Sequence, residues 1–182
     1  MTEIKRLTAI KTSIKPLING RFVKQEGFDP SFVISPSGQR LSRVRILATV
    51  VNKYEPEGGK FSSVTIDDGT ATIRAKIFGS SLFSGIKEAD LVDVIGKIRE
   101  YNGEIYVLSE SVVKLDDPNW EILRELELRK QAEKWNMIKS RIFDLQKEAS
   151  DILELKKLAQ AEGMDPEDIE PVLLSQDIAE VQ

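Results

Sequence analysis

The chain has 182 residues, a formal net charge of −4, and neither cysteine nor histidine. That inventory excludes disulfides, thiolate nucleophiles, imidazole acid–base chemistry and every Cys/His zinc site. No Gly-rich loop ending in Lys-Ser or Lys-Thr is present to cradle a nucleotide phosphate, and no apolar run approaches the roughly 20 residues of a bilayer span, so a non-enzymatic, intracellular binding protein without cofactor or membrane contact is expected.

Charge is distributed unevenly. Residues 1–41 carry +4, residues 42–115 carry 0 and residues 116–182 carry −8. An acidic C-terminal part therefore masks a basic front, and the whole-chain charge says little about any one surface.

Taken in order, residues 1–41 read as an extended basic arm. Met1 to Arg6 is followed by no signal-peptide core. Thr12 to Asn19 is expected to be extended, with a turn at Asn19-Gly20 and a short stretch from Arg21 to Val23, while Gly27, Pro30, Pro36 and Gly38 interrupt any periodicity. From Ser42 the pattern switches to period two. Val44, Ile46, Ala48 and Val50 share one face of a long strand, and Arg43, Arg45, Thr49 and Lys53 share the other. Glu55 to Gly59 is a loop, and a second strand over Phe61–Asp67 places Val64 and Ile66 inward. Asp68-Gly69 is expected to make a type I′ hairpin turn, both of whose central residues have positive φ.

The third strand, Thr70 to Phe78, alternates Ile73, Ala75 and Ile77 with Arg74, Lys76 and Phe78. Leu82, Phe83 and Ile86 suggest a short helix over Ser80–Ala89. A fourth strand, Leu91–Tyr101, directs Lys97, Arg99 and Tyr101 outward, with Gly96 at a bend, and Asn102-Gly103 leads into a fifth strand, Glu104–Leu115. Three strands, a short helix and two strands is the order of a five-stranded Greek-key barrel of the OB kind, here residues 42–115.

Beyond the barrel the chain is helical, so the fold class is mainly β with a helical C-terminus. Asp117 and Pro118 open a long helix as cap and first residue. An apolar stripe through Trp135, Ile138, Ile142 and Leu145 continues to Ile152, and Gly163 ends the segment 116–163. With nothing identified in the chain to cover it, the stripe is read as an oligomerisation surface to which Trp120 and Leu123 also belong. Residues 164–182 form an acidic tail that starts at Asp165-Pro166, is interrupted at Pro171 and ends near Val181.

The outward face of the barrel's middle strands is where such barrels lay single strands, with cations for phosphates and aromatic rings for bases. Arg43, Arg45, Lys53, Arg74, Lys76, Phe78, Lys97, Arg99 and Tyr101 are the candidate nucleic-acid contacts. The paired acids Asp67-Asp68 and Asp116-Asp117 have turn and cap explanations, so no metal site is expected.

The run Ile66-Asp67-Asp68-Gly69-Thr70, the strand ending at Phe78 and the run Asp93-Val94-Ile95-Gly96-Lys97-Ile98-Arg99-Glu100-Tyr101 together resemble the middle subunit of archaeal replication protein A, a heterotrimeric single-stranded DNA-binding protein. Gly20-Arg21-Phe22-Val23, Phe32-Val33-Ile34 and Pro118-Asn119-Trp120-Glu121-Ile122-Leu123 fit as well, so the resemblance spans about residues 12 to 135. It implies stacking roles for Phe78 and Tyr101. It also implies a post-barrel helix packed with a large and a small subunit, and work in replication, repair and recombination in the nucleoid-associated cytoplasm of an archaeal cell. The chain departs from the pattern at residues 150–182, which are too short for a winged-helix domain. Two other readings compete: a mainly structural subunit with little DNA affinity of its own, and an RNA-binding OB module, because stacking and phosphate contacts serve both nucleic acids.

Overall fold

The computed structural model describes residues 7–25, 29–56, 61–79 and 82–179. The expectations for Met1 to Arg6, Gly27, Glu57 to Gly59, Ser80 and Val181 lie outside these.

Five strands close into the barrel: β5 (Arg43–Tyr54), β6 (Phe61–Asp67), β7 (Thr72–Phe78), β8 (Leu91–Tyr101) and β9 (Glu104–Leu115), counting from β1 (Ile10–Lys11), β2 (Arg21–Val23), β3 (Phe32–Ile34) and β4 (Arg40–Leu41). The order around the barrel is β5-β6-β7-β9-β8, and β8 pairs back onto β5 to close it. Alternation along these strands fills the interior with Val44, Ile46, Val64, Ile66, Ala75, Val94, Ile98 and Val107, all at most 1 % exposed. Gly96 is required at its bend, because a Cβ there would lie 2.4 Å from the Leu108 carbonyl oxygen.

The segment before the barrel is packed rather than draped. β1 pairs in parallel with β5, while Lys15–Ile18 forms one helical turn, α1, where an extended chain was expected. Pro16 in that turn lacks an N–H that would have gone unpaired anyway, so it favours the start of a helix. Ile14 and Leu17 enter the barrel core. The small sheet β2-β3-β4 works on both sides: Val33 and Leu41 join the barrel core, while Phe32 and Ile34, which alternate with Val33, are also buried.

Two turns differ in kind. At Asn102-Gly103 both residues have positive φ, as a type I′ turn needs, but at the first hairpin only Gly69 does. Asp68 instead accepts hydrogen bonds from the Thr70 and Ala71 N–H groups and the Thr70 hydroxyl, which makes a longer loop stable without strain at Asp68. The segment 82–89 is a series of turns, not a helix. Phe83 and Ile86 still plug the barrel, 0 % and 7 % exposed.

After the barrel, α2 (Asn119–Glu148) runs for 30 residues. Asp117 accepts the Asn119 N–H at 2.9 Å and serves as its cap. The helix stops short of the expected stripe: Ala149 is extended, and Asp151 caps α3 (Ile152–Ala161) by accepting the Glu154 N–H, while the Glu154 carboxylate accepts the N–H and hydroxyl of Ser150. Gly163, at φ 78°, ends α3. A 3₁₀ turn at Pro166–Asp168 leads into α4 (Ile169–Ala179). Pro171 lies in the first turn of α4, where no intrahelical N–H is needed, so it does not interrupt the helix.

The three helices form their own apolar cluster of Ile142, Leu145, Leu155, Ala159, Ile169 and Val172, flanked by Trp135 and Ile138. Ile142 and Leu145 are therefore covered by α3 and α4 of the same chain, which corrects the premise that nothing in the chain covers this stripe. No helix among the described residues is long and apolar enough to cross a membrane.

Candidate nucleic-acid interface

Strand register sets the candidate residues in rows across the outer face of the barrel. One row runs Arg43, Lys97, Leu108, Lys76, Ser63, Tyr54, and the next runs Arg99, Tyr106, Arg74, Thr65, Asn52. Side chains directly opposite in such pairs stand on one face with Cβ atoms roughly 5 Å apart, so each row is a surface and not only a list of pairings. Arg74, Lys76, Lys97 and Arg99 are thereby brought together on β7 and β8, with β9 between them. The Lys76 ammonium lies 4.3 Å from the centre of the Tyr106 ring.

Aromatic groups occupy both ends of this face. Phe78 is 59 % exposed and Tyr101 67 %. Phe78 stands opposite Phe61, their ring centroids 6.2 Å apart, and Phe61 in turn lies 5.8 Å from Tyr54. A tilted aromatic trio thus forms at the β5–β6 loop end, and Tyr101 stands at the β8–β9 turn. Tyr54, Phe61 and Tyr106 were not singled out from sequence. The reason for Tyr54 is a β-bulge between Val50 and Asn52, which reverses the parity of the strand beyond it. Tyr54 is turned out and Lys53 is turned toward the barrel end. There the Lys53 ammonium donates to the Phe83 carbonyl at 2.9 Å and pairs with Glu55.

Arg45 is likewise placed differently from its expected role. Its guanidinium pairs with Asp93 at 2.6 Å, and Asp93 also receives Arg124 of α2 at 3.3 Å. Arg124 donates further to the Arg45 carbonyl oxygen and to Glu127, which pairs with Lys11. The outer face at Arg45 and Asp93 is thus met by Arg124 of α2, and this ionic network fixes the helix to the barrel. The adjacent charges raise the Arg45 pKa, chiefly through the Asp93 hydrogen bond. The Lys11 hydrogen bond holds the Glu127 carboxyl below its ordinary range.

Two acids lie among the cations. Glu110 sits at a second bulge, between the β9 residues paired to Ile95 and Gly96, and reaches Arg43 at 2.6 Å and Lys97 at 3.6 Å. Glu104 pairs with Arg74 at 3.3 Å.

Of the proposed partner contacts, Trp120 and Leu123 are 46 % and 45 % exposed, while Trp135 and Ile138 are partly buried and Ile142 and Leu145 fully so. Ile122, Leu126 and Met137 are exposed on the side of α2 away from Arg124 and Ile142. They escaped notice because the first turns look heavily charged. Among the described residues no group of three or more acidic side chains converges as a metal site would.

Residues 44–117 match the family model of the OB-fold nucleic acid binding domain. An uncharacterized protein of Methanocaldococcus jannaschii is 35 % identical over 109 residues, 60 % of this chain and 44 % of that protein. The chain therefore spans under half the length of that curated relative. Among solved structures, a replication protein A heterotrimer bound to single-stranded DNA is similar with a TM-score of 0.59 at 16 % identity, covering 71 % of this chain and 98 % of the other. Yeast replication protein A bound to single-stranded DNA gives 0.56 at 22 %, covering 71 % and 92 %. The Stn1–Ten1 complex of Schizosaccharomyces pombe gives 0.60 at 16 %, covering 72 % and 96 %. At these identities the likeness is one of fold: an OB barrel with additional elements.

Proposed function

We propose that this chain is a single-stranded DNA-binding subunit of a replication protein A-like heterotrimer that acts in DNA replication, repair and recombination in the nucleoid-associated cytoplasm of an archaeal cell. The observation that carries this reading is the outer face of β7, β9 and β8, where Arg74, Lys76, Lys97 and Arg99 stand between the Tyr54–Phe61–Phe78 trio and Tyr101. Cations spaced along a groove neutralise phosphates without reading sequence, and exposed rings accept the faces of unpaired bases. A duplex hides those faces in its stack, so the arrangement favours single strands. The chain binds stoichiometrically and turns nothing over, needing no cofactor.

Assembly with a large and a small subunit uses α2. Because Ile142 and Leu145 are occupied within the chain, with Trp135 and Ile138 flanking them, the contact is made by the exposed residues Trp120, Ile122, Leu123, Leu126 and Met137. The solved heterotrimer and the Stn1–Ten1 complex, both multi-subunit, support this reading by analogy of fold.

One observation favours a second reading, a mainly structural subunit. Glu110 and Glu104 neutralise Arg43, Lys97 and Arg74 on the proposed face, which lowers its intrinsic attraction for phosphate. Titration of the purified chain with labelled single-stranded DNA, single-stranded RNA and duplex, alone and co-expressed with candidate subunits, separates the readings. Binding by the isolated chain, tighter to single strands than to duplex, supports the first. Affinity seen only in the assembly supports the second, and a preference for RNA reassigns the ligand.

A further inference from the structure

An open groove of about 420 Å³ lies between α1 and the β8–β9 turn, lined on its apolar side by Ile18, Ile73 and Ile105 and on its polar side by Arg74 and Glu104. Its α1 wall is held in place. The Asp68 carboxylate accepts the Ile14 N–H at 2.7 Å and the Thr70 hydroxyl accepts the Lys15 N–H at 3.1 Å, which ties α1 to the β6–β7 turn. Ile18 is thereby left 44 % exposed over the groove. Across the turn, Glu104 stands opposite Tyr101, the most exposed ring of this face.

We propose that this groove reads a single nucleobase and selects guanine, with the Glu104 carboxylate as the reading group. The inference rests on the nucleic-acid reading above and refines it. An acid on a phosphate-binding face costs affinity, and the hairpin needs only Asn102-Gly103, whose φ angles are both positive. Arg74 approaches Glu104 through Nε to Oε1 at 3.3 Å and Nη1 to Oε2 at 3.4 Å. Only Nη1 donates a hydrogen bond, to Oε2, so the pairing leaves lone pairs open on both carboxylate oxygens.

A carboxylate held this way accepts two parallel N–H bonds, and guanine is the base that offers two adjacent donors, N1–H and the N2 amino group. Thymine offers one N–H between two carbonyls that the carboxylate repels. Adenine and cytosine offer an amino group beside a ring nitrogen that is itself an acceptor. The isoleucine wall supplies an apolar face for the base, and Tyr101, which pairs with Glu104 across the turn outside the groove lining, offers its exposed ring to a neighbouring base.

The test uses the full chain and a labelled oligothymidylate of about twelve nucleotides, within the span an OB barrel covers. One central thymine is replaced in turn by guanine, hypoxanthine, adenine or cytosine. A good bidentate contact predicts that the guanine oligonucleotide binds on the order of tenfold tighter than all-thymine. Hypoxanthine, which lacks the N2 amino group, should lose most of that gain without any change to the protein. Glu104→Gln should lose the preference for guanine, so that the guanine and all-thymine oligonucleotides bind the variant alike. Equal affinities for all five oligonucleotides overturn the pocket while leaving single-strand binding intact, and a guanine preference that survives in Glu104→Gln overturns the role of Glu104. Failure of every oligonucleotide to bind overturns the functional reading itself.

Discussion

Ile142→Ala separates a stripe that packs within the chain from one that waits for a partner. Ile142 is 0 % exposed among Leu145, Leu155, Ala159, Ile169 and Val172. The substitution removes roughly three buried methylene equivalents at about 0.8 kcal/mol each, and the cavity left behind adds to that, giving about 3 to 4 kcal/mol. Such a loss shifts the folding equilibrium of α3 and α4 more than a hundredfold, since about 1.4 kcal/mol is a factor of ten. Trp135 flanks the cluster, whereas the other tryptophan, Trp120, lies exposed near the start of α2. In a Trp120→Phe background, fluorescence during urea unfolding therefore follows the helical cluster alone, and hydrogen exchange at α3 and α4 amides gives an independent reading. The expected result is an early Trp135 transition and lost protection in α3 and α4 with the barrel intact. A shift below about 1 kcal/mol would refute the reasoning, because a side chain enclosed by its own chain cannot be removed so cheaply. The companion variant, Ile122→Glu with Leu126→Glu, alters residues that are 60 % and 58 % exposed. It should leave both transitions in place and reduce the mass of the co-expressed assembly.

Phe78→Ala, Tyr101→Ala and Tyr54→Ala should each weaken single-strand binding by roughly 1 to 3 kcal/mol in oligonucleotide titrations; unchanged affinity in all three would remove the rings from the site. Arg74→Ala and Lys76→Ala should each reduce the slope of log affinity against log salt by about 1, while Arg45→Ala, whose guanidinium is committed to Asp93, should leave the slope unchanged. Asp93→Ala strands Arg124, whose side chain is 9 % exposed, and should cost about 3 kcal/mol in denaturant unfolding; a neutral result would show that α2 is not anchored there. The Glu127 carboxyl is depressed in the folded chain, first by its hydrogen bond to Lys11. Its contribution is therefore present above the ordinary carboxylate range and is lost as pH falls through the lowered folded value. Glu127→Gln should flatten the acid limb of a stability–pH profile in that window, and an unchanged limb would dismiss the pair.

The barrel was legible in the sequence because each of its strands alternates and most are bounded by turn residues: the second, fourth and fifth have the expected bounds. What escaped was set by single-residue irregularities and by elements distant in sequence. The bulge after Val50 is invisible to a period-two pattern, yet it exchanges Lys53 for Tyr54 on the binding face. Arg45 reads as one more outward cation, and only the return of α2, with Arg124 79 positions later, makes it a structural partner. The apolar stripe of α2 runs on in register to Ile152, which hid the break at Ala149–Asp151. The Asp151 and Glu154 side chains that cap α3 were the local signal for it.

The zero net charge of residues 42–115 misdescribes the surface that a strand would meet, because acids and cations are spent differently. Asp93 is consumed by Arg45 and Arg124, Asp68 caps its loop and receives the Ile14 N–H, Asp67 accepts the Gly69 N–H, and Asp90 pairs with Lys114 on the far edge. Each of these carboxylates is already engaged within the chain. Lys76 and Arg99 have no acidic partner among the described residues, and the acids that do share the face, Glu104 and Glu110, each sit at a point where the strands turn or bulge. A phosphate approaching the middle of the face therefore meets cations first, and the acids act at its margins. Glu104 limits what may sit beside Tyr101, and Glu110 holds Arg43 and Lys97 in position.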